Sequence, residues 1–302
     1  MDHRRKTVVT LGEILVEVMA TRRGQTFFEP GALIGPYPSG APAIFIDQVA
    51  RLGQPCGMIG CVGDDDFGAL NVERLRADGV DVSAISVHRD APTGSAFVTY
   101  QENGDRHFVF NILHSASGHI SMTDAADALL AGADHLHVMG TSLISPKVMD
   151  AMREAVRRVK ARGGTISFDP NSRKELATGS DLAAFVEEIL SVSDIVMPSG
   201  SELRFLTAEP DEPTAIAALL RRGVGAVVIK RGAQGATYYD QSGAIHGAPF
   251  AVEEVDPTGA GDCFGATFVV CHLRGMTVAN ASVTPMRAAP TKFCIAAPWK
   301  AS

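Results

Sequence analysis

The sequence has no excess of basic residues and lacks several motifs that would assign a function directly. Its formal net charge is −7, which argues against nucleic acid or an anionic membrane as a partner. No apolar run approaches the roughly 18 residues that a membrane-spanning helix needs. The absence of any Gly-Lys pair excludes a Walker A phosphate-binding loop. No G-x-G-x-x-G motif follows the first predicted strand, which disfavours a nucleotide-dependent oxidoreductase.

Cysteines are few and are not arranged in pairs. The chain has five, and none lies in a C-x-x-C motif. We therefore expect reduced thiols in a cytoplasmic protein rather than a disulfide framework. The N-terminal segment places basic residues before an apolar stretch, as a signal peptide does. Glu13 and Glu17 interrupt that stretch, so a first β-strand is the better interpretation.

Short apolar runs alternate with segments of helical period along most of the chain. This alternation predicts an α/β fold with a mainly parallel sheet and helices on both of its faces. The predicted strands are 7–12, 56–63, 135–140, 165–169, 194–198 and 226–232. The predicted helices are 42–53, 68–79, 146–164 and 214–223.

Two segments break this alternation and predict a second, smaller sheet. Residues 13–37 have no helical pattern and contain glycine, proline and aromatic residues. Residues 93–113 are typical of two strands joined by a turn at 102–105. Because the two segments are similar in character, we expect them to form one small sheet that projects from the main domain as a lid.

The segment "DPTGAGD" (256–262) places a glycine-rich turn and one acidic residue before an apolar helix. A helix N-terminus presents unpaired N–H groups and the positive end of its dipole, and the glycines let a phosphate approach the backbone. Asp262 would then accept the proton of an attacking hydroxyl while the N–H groups stabilise the transferred phosphoryl group. The alternative is structural, because aspartate is also a good helix N-cap.

With the Cys263-Phe264 pair that follows it, this segment resembles the C-terminal signature of the ribokinase, or phosphofructokinase-B, family of sugar kinases. Further segments match the family in order along nearly the whole chain: Gly12-Glu13, "PSGAPAIFIDQVARLG", "GCVGDDDFG", "TGSAF", "FDPNSR" and "VIKRGAQG". The resemblance implies a ribokinase-like kinase domain over residues 1–281 and transfer of the ATP γ-phosphoryl group to a sugar hydroxyl. The tagatose kinase branch is the most similar, with fructokinases and 2-keto-3-deoxygluconate kinases as alternatives.

The resemblance also implies roles at the reacting centre. Asp262 is the catalytic base, and the backbone of Gly259, Ala260 and Gly261 forms the anion hole. Family members close a lid over the site, and a homodimer through the lid is an expected assembly.

For the sugar or the transferred phosphate, the resemblance implies contacts from Gly40 and the adjoining Ala41, from Asn171 and from Arg173. A solvated loop arginine is the structural alternative for Arg173. Glu13 follows the first strand, where a sugar contact and an internal salt bridge are equally compatible with the sequence, since a buried carboxylate needs a partner.

For the nucleotide, the resemblance places Lys230, Gly232 and Gly235 along ATP. The family's N-x-x-E magnesium motif appears here as Ser199-Gly200-Ser201-Glu202, which replaces the asparagine but keeps Glu202 as a ligand for a water of Mg²⁺. Thr258 and Asp256 match positions that serve a monovalent cation such as K⁺ in some members.

Two other clusters of polar residues have structural explanations. The run Asp64-Asp65-Asp66 precedes a predicted helix, so a helix cap and a solvated first turn are expected rather than a metal site. His135 and His137 alternate along one predicted strand with no third ligand nearby in sequence, which favours packing within the sheet.

The segment 282–302 departs from the family pattern, because it has no helical period and lacks the helix–strand–helix finish of the fold. Reading the last nucleotide of each codon with the first two of the next permits a string that begins R-Y-A-N-A and resembles the family's C-terminal segment. We hypothesise a frameshift near Ser282 that replaces the native end, which leaves a catalytically impaired sugar-binding relative as an alternative function. Codons that cannot encode R-Y-A-N-A in the shifted frame would contradict this.

Overall fold

The computed structural model describes residues 5–103, 105–171, 180–249 and 258–276. Its strands are β1 (Val8–Leu11), β2 (Leu15–Arg23), β3 (Leu33–Ser39), β4 (Cys56–Gly63), β5 (Ile85–His88), β6 (Gly94–Tyr100), β7 (Arg106–Asn111), β8 (His135–Met139), β9 (Thr165–Asp169), β10 (Ile195–Val196), β11 (Ala226–Lys230), β12 (Ala236–Asp240) and β13 (Gly243–Gly247). Its α-helices are α1 (Ala41–Arg51), α2 (Asp66–Asp78), α3 (Asp124–Ala131), α4 (Pro146–Ala161), α5 (Ser180–Val192), α6 (Gly200–Thr207), α7 (Glu212–Arg221) and α8 (Ala260–Leu273). In these ranges no helix is both long enough and apolar enough to cross a membrane.

Nine strands form the main sheet, in the order β13-β12-β11-β10-β9-β8-β1-β4-β5. Among the described residues, its pairs from β11 to β5 are parallel, whereas β12 pairs antiparallel with both β11 and β13. The predicted strands are all present, which confirms the α/β fold. Strands β5, β12 and β13 were not predicted. Most residues of β5 and β13 are exposed or half-buried at the sheet edges and form no apolar run.

The four predicted helices correspond to α1, α2, α4 and α7. Helix α4 shows which local signals define a helix in this chain. Ser145 caps it by accepting a hydrogen bond from the Val148 N–H at 3.3 Å, and Pro146 occupies the first turn. Its apolar face is buried. Burial of each large side chain on that face stabilises the fold by about 1.5–3 kcal/mol. Helices α3, α5 and α6 were not among the predicted helices.

The hydrophobic core has two layers, one on each face of the main sheet. Helices α3, α4, α5 and α7 supply the larger layer, and α1 and α8 supply most of the other. This arrangement confirms helices on both faces. It also places α8, near the end of the described chain, directly beside α1, near its beginning.

The predicted lid is a separate four-stranded sheet in the order β3-β2-β6-β7. Strand β2 pairs antiparallel with β3 and parallel with β6, and β6 pairs antiparallel with β7. Small apolar clusters fill its inner side, among them Leu15 with Ala96 and Met19 with Val98. The two sequence segments that break the βα alternation therefore join in one sheet, as expected.

The acidic run 64–66 caps a helix. Asp65 is the N-cap of α2 and accepts a hydrogen bond from the Gly68 N–H at 2.8 Å. It also accepts one from the Thr93 hydroxyl at 2.7 Å, which ties α2 to the start of the lid strand β6. The structural interpretation of this run is confirmed.

The two histidines of β8 pack inside the sheet, as expected. The ring nitrogens of His135 lie 2.8 Å from the Thr165 hydroxyl and 2.7 Å from the Ser167 hydroxyl, and His137 Nδ1 lies 2.7 Å from the same Ser167 oxygen. Burial lowers the pKa of His135 to about 3 and that of His137 well below its usual value. Both rings are therefore neutral at pH 7.

These buried rings predict a loss of stability in mild acid. An unfolded histidine binds a proton below pH ~6.5, whereas folded His135 binds one only near pH 3. As the pH falls from about 6.5 towards 3, each such ring should lower the free energy of unfolding by up to about 1.4 kcal/mol per pH unit. In urea titrations at pH 6.5, 6.0 and 5.5, His135→Gln should show a shallower pH dependence than the native chain. An unchanged slope would rule out the assignment.

Candidate active site

The predicted site residues that the structure describes gather at the carboxyl edge of the main sheet, beneath the lid. Strands β9 and β11 end there at Asp169 and Lys230, and helices α1 and α8 begin there. In open parallel sheets this edge is where ligand crevices form, because loops and helix N-termini converge on it. Arg173, Asp256 and the segment 282–302 lie outside the described residues.

Helix α8 begins at the predicted anion hole, and residues 258–261 are together called the anion loop. Gly259 is its N-cap, with φ of 76°, a backbone conformation that favours glycine. The first helical hydrogen bond runs from the Cys263 N–H to the Gly259 carbonyl at 2.8 Å, so the N–H groups of Ala260 and Gly261 precede the helical ladder. These are the groups expected to form an anion hole.

Asp262 lies inside the first turn of α8 rather than at the N-cap position. The purely structural interpretation of Asp262 as the N-cap is therefore wrong, since Gly259 fills that position and no side chain caps the helix. The Asp262 residue is 8% exposed, and one carboxylate oxygen accepts a hydrogen bond from the Asn171 amide at 3.2 Å. Asn171 thus holds the carboxylate from the side of β9.

Helix α1 brings a second N-terminus to the same place. Its N-cap is Gly40, with φ of 111°, and a Cβ at this position would lie 2.5 Å from the Glu13 carbonyl oxygen. Only glycine fits so close to the end of the first strand without displacing it. Gly40 and Ala41 therefore lie at the site, and the tight turn at this point requires glycine at position 40.

A pocket opens between the lid and the N-termini of α1 and α8. Three of its lining side chains are carboxylates: Glu13, Glu17 and Asp262. Hydroxyl groups and apolar side chains supply the rest: Ser39, Thr141, Thr258, Leu15, Ala41, Ile44, Ala96, Phe108, Phe110 and Ile112. Glu13 accepts a hydrogen bond from the Ser142 hydroxyl at 2.7 Å, and Glu17 accepts one from the Ser39 hydroxyl at 3.4 Å.

Sequence reasoning did not single out Glu17, Arg106 or Asp169. Glu17 was used only to argue against a signal peptide, although a carboxylate within an apolar strand was a usable signal of a buried polar site. Arg106 begins the lid strand β7, and its guanidinium donates a hydrogen bond to the Thr258 hydroxyl at 3.0 Å. That contact joins the lid to the anion loop across 152 residues of sequence, a distance that no local pattern could bridge.

A group of charged side chains lies beside the anion loop, where the resemblance places the nucleotide. Lys230 forms a buried ion pair with Asp169, and the Lys230 ammonium lies 3.9 Å from the place that a Cβ on Gly261 would take. Burial alone would lower the pKa of Lys230, but the carboxylates of Asp169, Glu202 and Asp262 together raise it above its usual value. The lysine is therefore a fixed positive charge beside the anion loop.

Glu202 lies in the first turn of α6 and forms a capping box with the residue that replaces the family's asparagine. Its carboxylate accepts hydrogen bonds from the Ser199 N–H at 2.7 Å and from the Ser199 hydroxyl at 2.8 Å. Serine at position 199 thus keeps the carboxylate in place. Gly232 and Gly235, predicted to follow the nucleotide, flank the short turn after β11, with φ of 53° and 86°.

The described side chains supply too few ligands for a divalent ion by themselves, but they fit an ion that is bound together with a nucleotide. No group of three or more histidine, cysteine, aspartate or glutamate side chains among them is arranged to hold a metal. Mg²⁺, however, is commonly held by one or two carboxylates together with substrate phosphates and waters. Asp169 and Glu202 have that donor chemistry at the edge where the phosphates would lie.

Comparison with known proteins establishes the class of this site. Residues 6–288 match the model of the pfkB family carbohydrate kinases, and the chain belongs to that family. The chain is therefore a carbohydrate kinase with a ribokinase-like fold.

Similar proteins include bacterial and plant sugar kinases. An E. coli protein provisionally named Ribokinase II is 47% identical in its apo form, with 98% of this chain and 95% of that chain covered and a TM-score of 0.93. The same protein has been solved with ATP and Mg²⁺, at a TM-score of 0.90 over 97% of this chain and 94% of that chain. Fructokinase-1 of Zea mays is 35% identical over 266 residues, which are 86% of this chain and 81% of that protein.

The geometry at the start of α8 predicts the effect of removing the base. Asp262→Asn keeps the size of the side chain but cannot accept a proton, so turnover should fall by about 10²–10⁴-fold while nucleotide binding persists. ADP release and isothermal titration with ATP measure the two properties separately. Asp150→Asn, on the exposed face of α4, is the matched control and should leave both unchanged. Near-normal turnover of the Asp262 variant would contradict the assignment of the base.

Proposed function

We propose that this carbohydrate kinase transfers the γ-phosphoryl group of ATP to a hydroxyl of a ketohexose, with tagatose as the favoured substrate. The observation that carries the proposal is the position of Asp262. Its carboxylate stands at the N-terminus of α8, borders the carboxylate- and hydroxyl-lined pocket, and is held by Asn171. A base at this position faces a bound sugar and the anion loop at once.

The proposed reaction is a direct displacement. Asp262 accepts the proton of the attacking hydroxyl as its oxygen forms a bond to the γ-phosphorus, and the bond to ADP breaks with its electron pair leaving on the ADP oxygen. The backbone N–H groups at the start of α8 and the Lys230 ammonium stabilise the charge on the transferred group. Asn171 orients the carboxylate throughout.

We propose ATP with Mg²⁺ as the phosphoryl donor. Bound Mg²⁺ neutralises charge on the phosphate oxygens. Asp169 and Glu202 would hold it through water, and Lys230, Gly232 and Gly235 would follow the nucleotide. A monovalent cation such as K⁺ near Thr258 remains a proposal drawn from the family resemblance.

The lid has a defined part in this proposal. Its apolar side chains Phe108 and Phe110 line the pocket, and Arg106 bonds to Thr258 of the anion loop. Closure would exclude water, which Asp262 could otherwise activate to hydrolyse ATP.

The charge of the pocket favours a neutral sugar over a sugar acid. Three carboxylates line it, and neither lysine nor arginine is present among its described lining residues. Carboxylates accept hydrogen bonds from sugar hydroxyls but repel another carboxylate. Tagatose and fructose are therefore favoured over 2-keto-3-deoxygluconate. The fructokinase relatives support fructose as the principal alternative to tagatose.

A substrate panel tests this proposal. ADP release should be measured with tagatose, fructose and 2-keto-3-deoxygluconate at fixed ATP, with the Asp262→Asn variant as the background. We expect kcat/KM for at least one neutral ketohexose to exceed that for the sugar acid by tenfold or more. A preference for the sugar acid would contradict the pocket argument, and turnover of none of the three would contradict the ketohexose assignment.

A sugar-binding protein without turnover is the second candidate. The sequence of residues 282–302 favours it, because this segment departs from the family pattern. The same panel distinguishes the two: saturable tagatose binding in calorimetry without ADP release would identify a binder.

We also infer that two copies associate through the lid. Several of its large apolar side chains are exposed, including Phe28, Leu33, Ile34 and Val109. A second copy of the same sheet would cover such a patch. Light scattering should give the mass of a dimer, and Phe28→Ser with Val109→Ser should give that of a monomer. A native monomer would refute the inference.

A further inference from the structure

A buried lysine lies among the carboxylates of the nucleotide side. Lys230 is the last residue of β11, and its ammonium is paired with Asp169, the last residue of β9. The Asp169 side chain is 1% exposed and that of Lys230 is 18% exposed. The Lys230 ammonium therefore contacts a carboxylate oxygen of Asp169 that is almost wholly shielded from water.

The backbone also holds the lysine beside Glu202. The Lys230 N–H donates to the Pro198 carbonyl at 2.9 Å, and Ser199 pairs with Lys230 as a parallel bridge. Ser199 in turn holds the Glu202 carboxylate through its N–H and its hydroxyl. The lysine and both acidic side chains are thus fixed on adjoining strand and helix ends.

We propose that Lys230 is a positioning residue that acts as a built-in cation and prevents Asp169 and Glu202 from holding a free divalent ion. The proposal rests on the proposed function in one respect: it takes Asp169 and Glu202 to be the carboxylates that face the metal ion bound with the nucleotide. A contact ammonium uses the oxygen that a metal would need and repels a second cation. Metal therefore enters this site with the nucleotide, whose phosphates supply the missing ligands.

The alternative role for Lys230 is purely structural: it would neutralise buried Asp169 and join β9 to β11. Both roles predict that removing the ammonium lowers stability. Only the proposed role predicts that removing it tightens the binding of a free divalent ion, because only then does the ammonium compete with that ion.

Binding of Mn²⁺ alone, followed by electron paramagnetic resonance without nucleotide or sugar, tests the proposal. We expect Lys230→Met and Lys230→Gln to bind Mn²⁺ at least tenfold more tightly than the native chain. Lys230→Arg keeps the charge and should bind as weakly as the native chain. Adding Asp169→Asn to Lys230→Gln should abolish the gain.

Lys230→Gln keeps a hydrogen-bonding group for Asp169, so the test survives if the methionine variant does not fold; circular dichroism checks each variant. Mn²⁺ affinities within twofold of the native value in the folded glutamine variant would overturn the proposal. In the native chain, ADP should tighten Mn²⁺ binding at least tenfold, and equal affinity with and without ADP would also overturn it. Neither measurement uses a sugar, so a failed substrate panel and a failed metal test remain distinguishable.

Discussion

The site depends on the packing of α8 against α1. Helix α8 is buried from Asp262 to Cys271, and Gln48 of α1 donates a hydrogen bond to Thr267 of α8 at 3.3 Å. Because both helices begin at the same edge of the sheet, their N-termini converge on one pocket. The position of Asp262 and of the backbone N–H groups at the start of α8, relative to Gly40 and Ala41, follows from this contact.

The second constraint on the site is the placement of its positive and negative groups. A kinase site must keep a carboxylate able to take a proton while it accepts a polyanion. Glu13, Glu17 and Asp262 line the pocket beneath the lid, whereas the Lys230 ammonium lies 3.9 Å from the place that a Cβ on Gly261 would take. Under the proposed function, this separation of the two signs would let the same few residues bind a neutral sugar and stabilise a phosphoryl group.

The lid links these two sides. Its sheet supplies apolar side chains to the wall of the pocket, and its edge strand supplies Arg106, which donates a hydrogen bond to Thr258. Under the proposed function, a lid with both contacts would couple closure over the sugar to ordering of the anion loop. The hydrogen bond between Thr93 and Asp65 connects the lid to α2 of the main domain.

The sequence by itself determined the elements and much of the chemistry. Buried parallel strands such as β4 have apolar runs, α4 has a helical period, and "DPTGAGD" places glycine where a helix start requires it, so these features follow from local patterns. Only the tertiary structure decided which side chains meet. Asn171 and Asp262 are 91 residues apart, and Arg106 and Thr258 are 152 apart. Their contacts depend on the order of strands in the sheets and on how α8 packs, and burial and long-range pairing of charges leave no periodic signal in the chain.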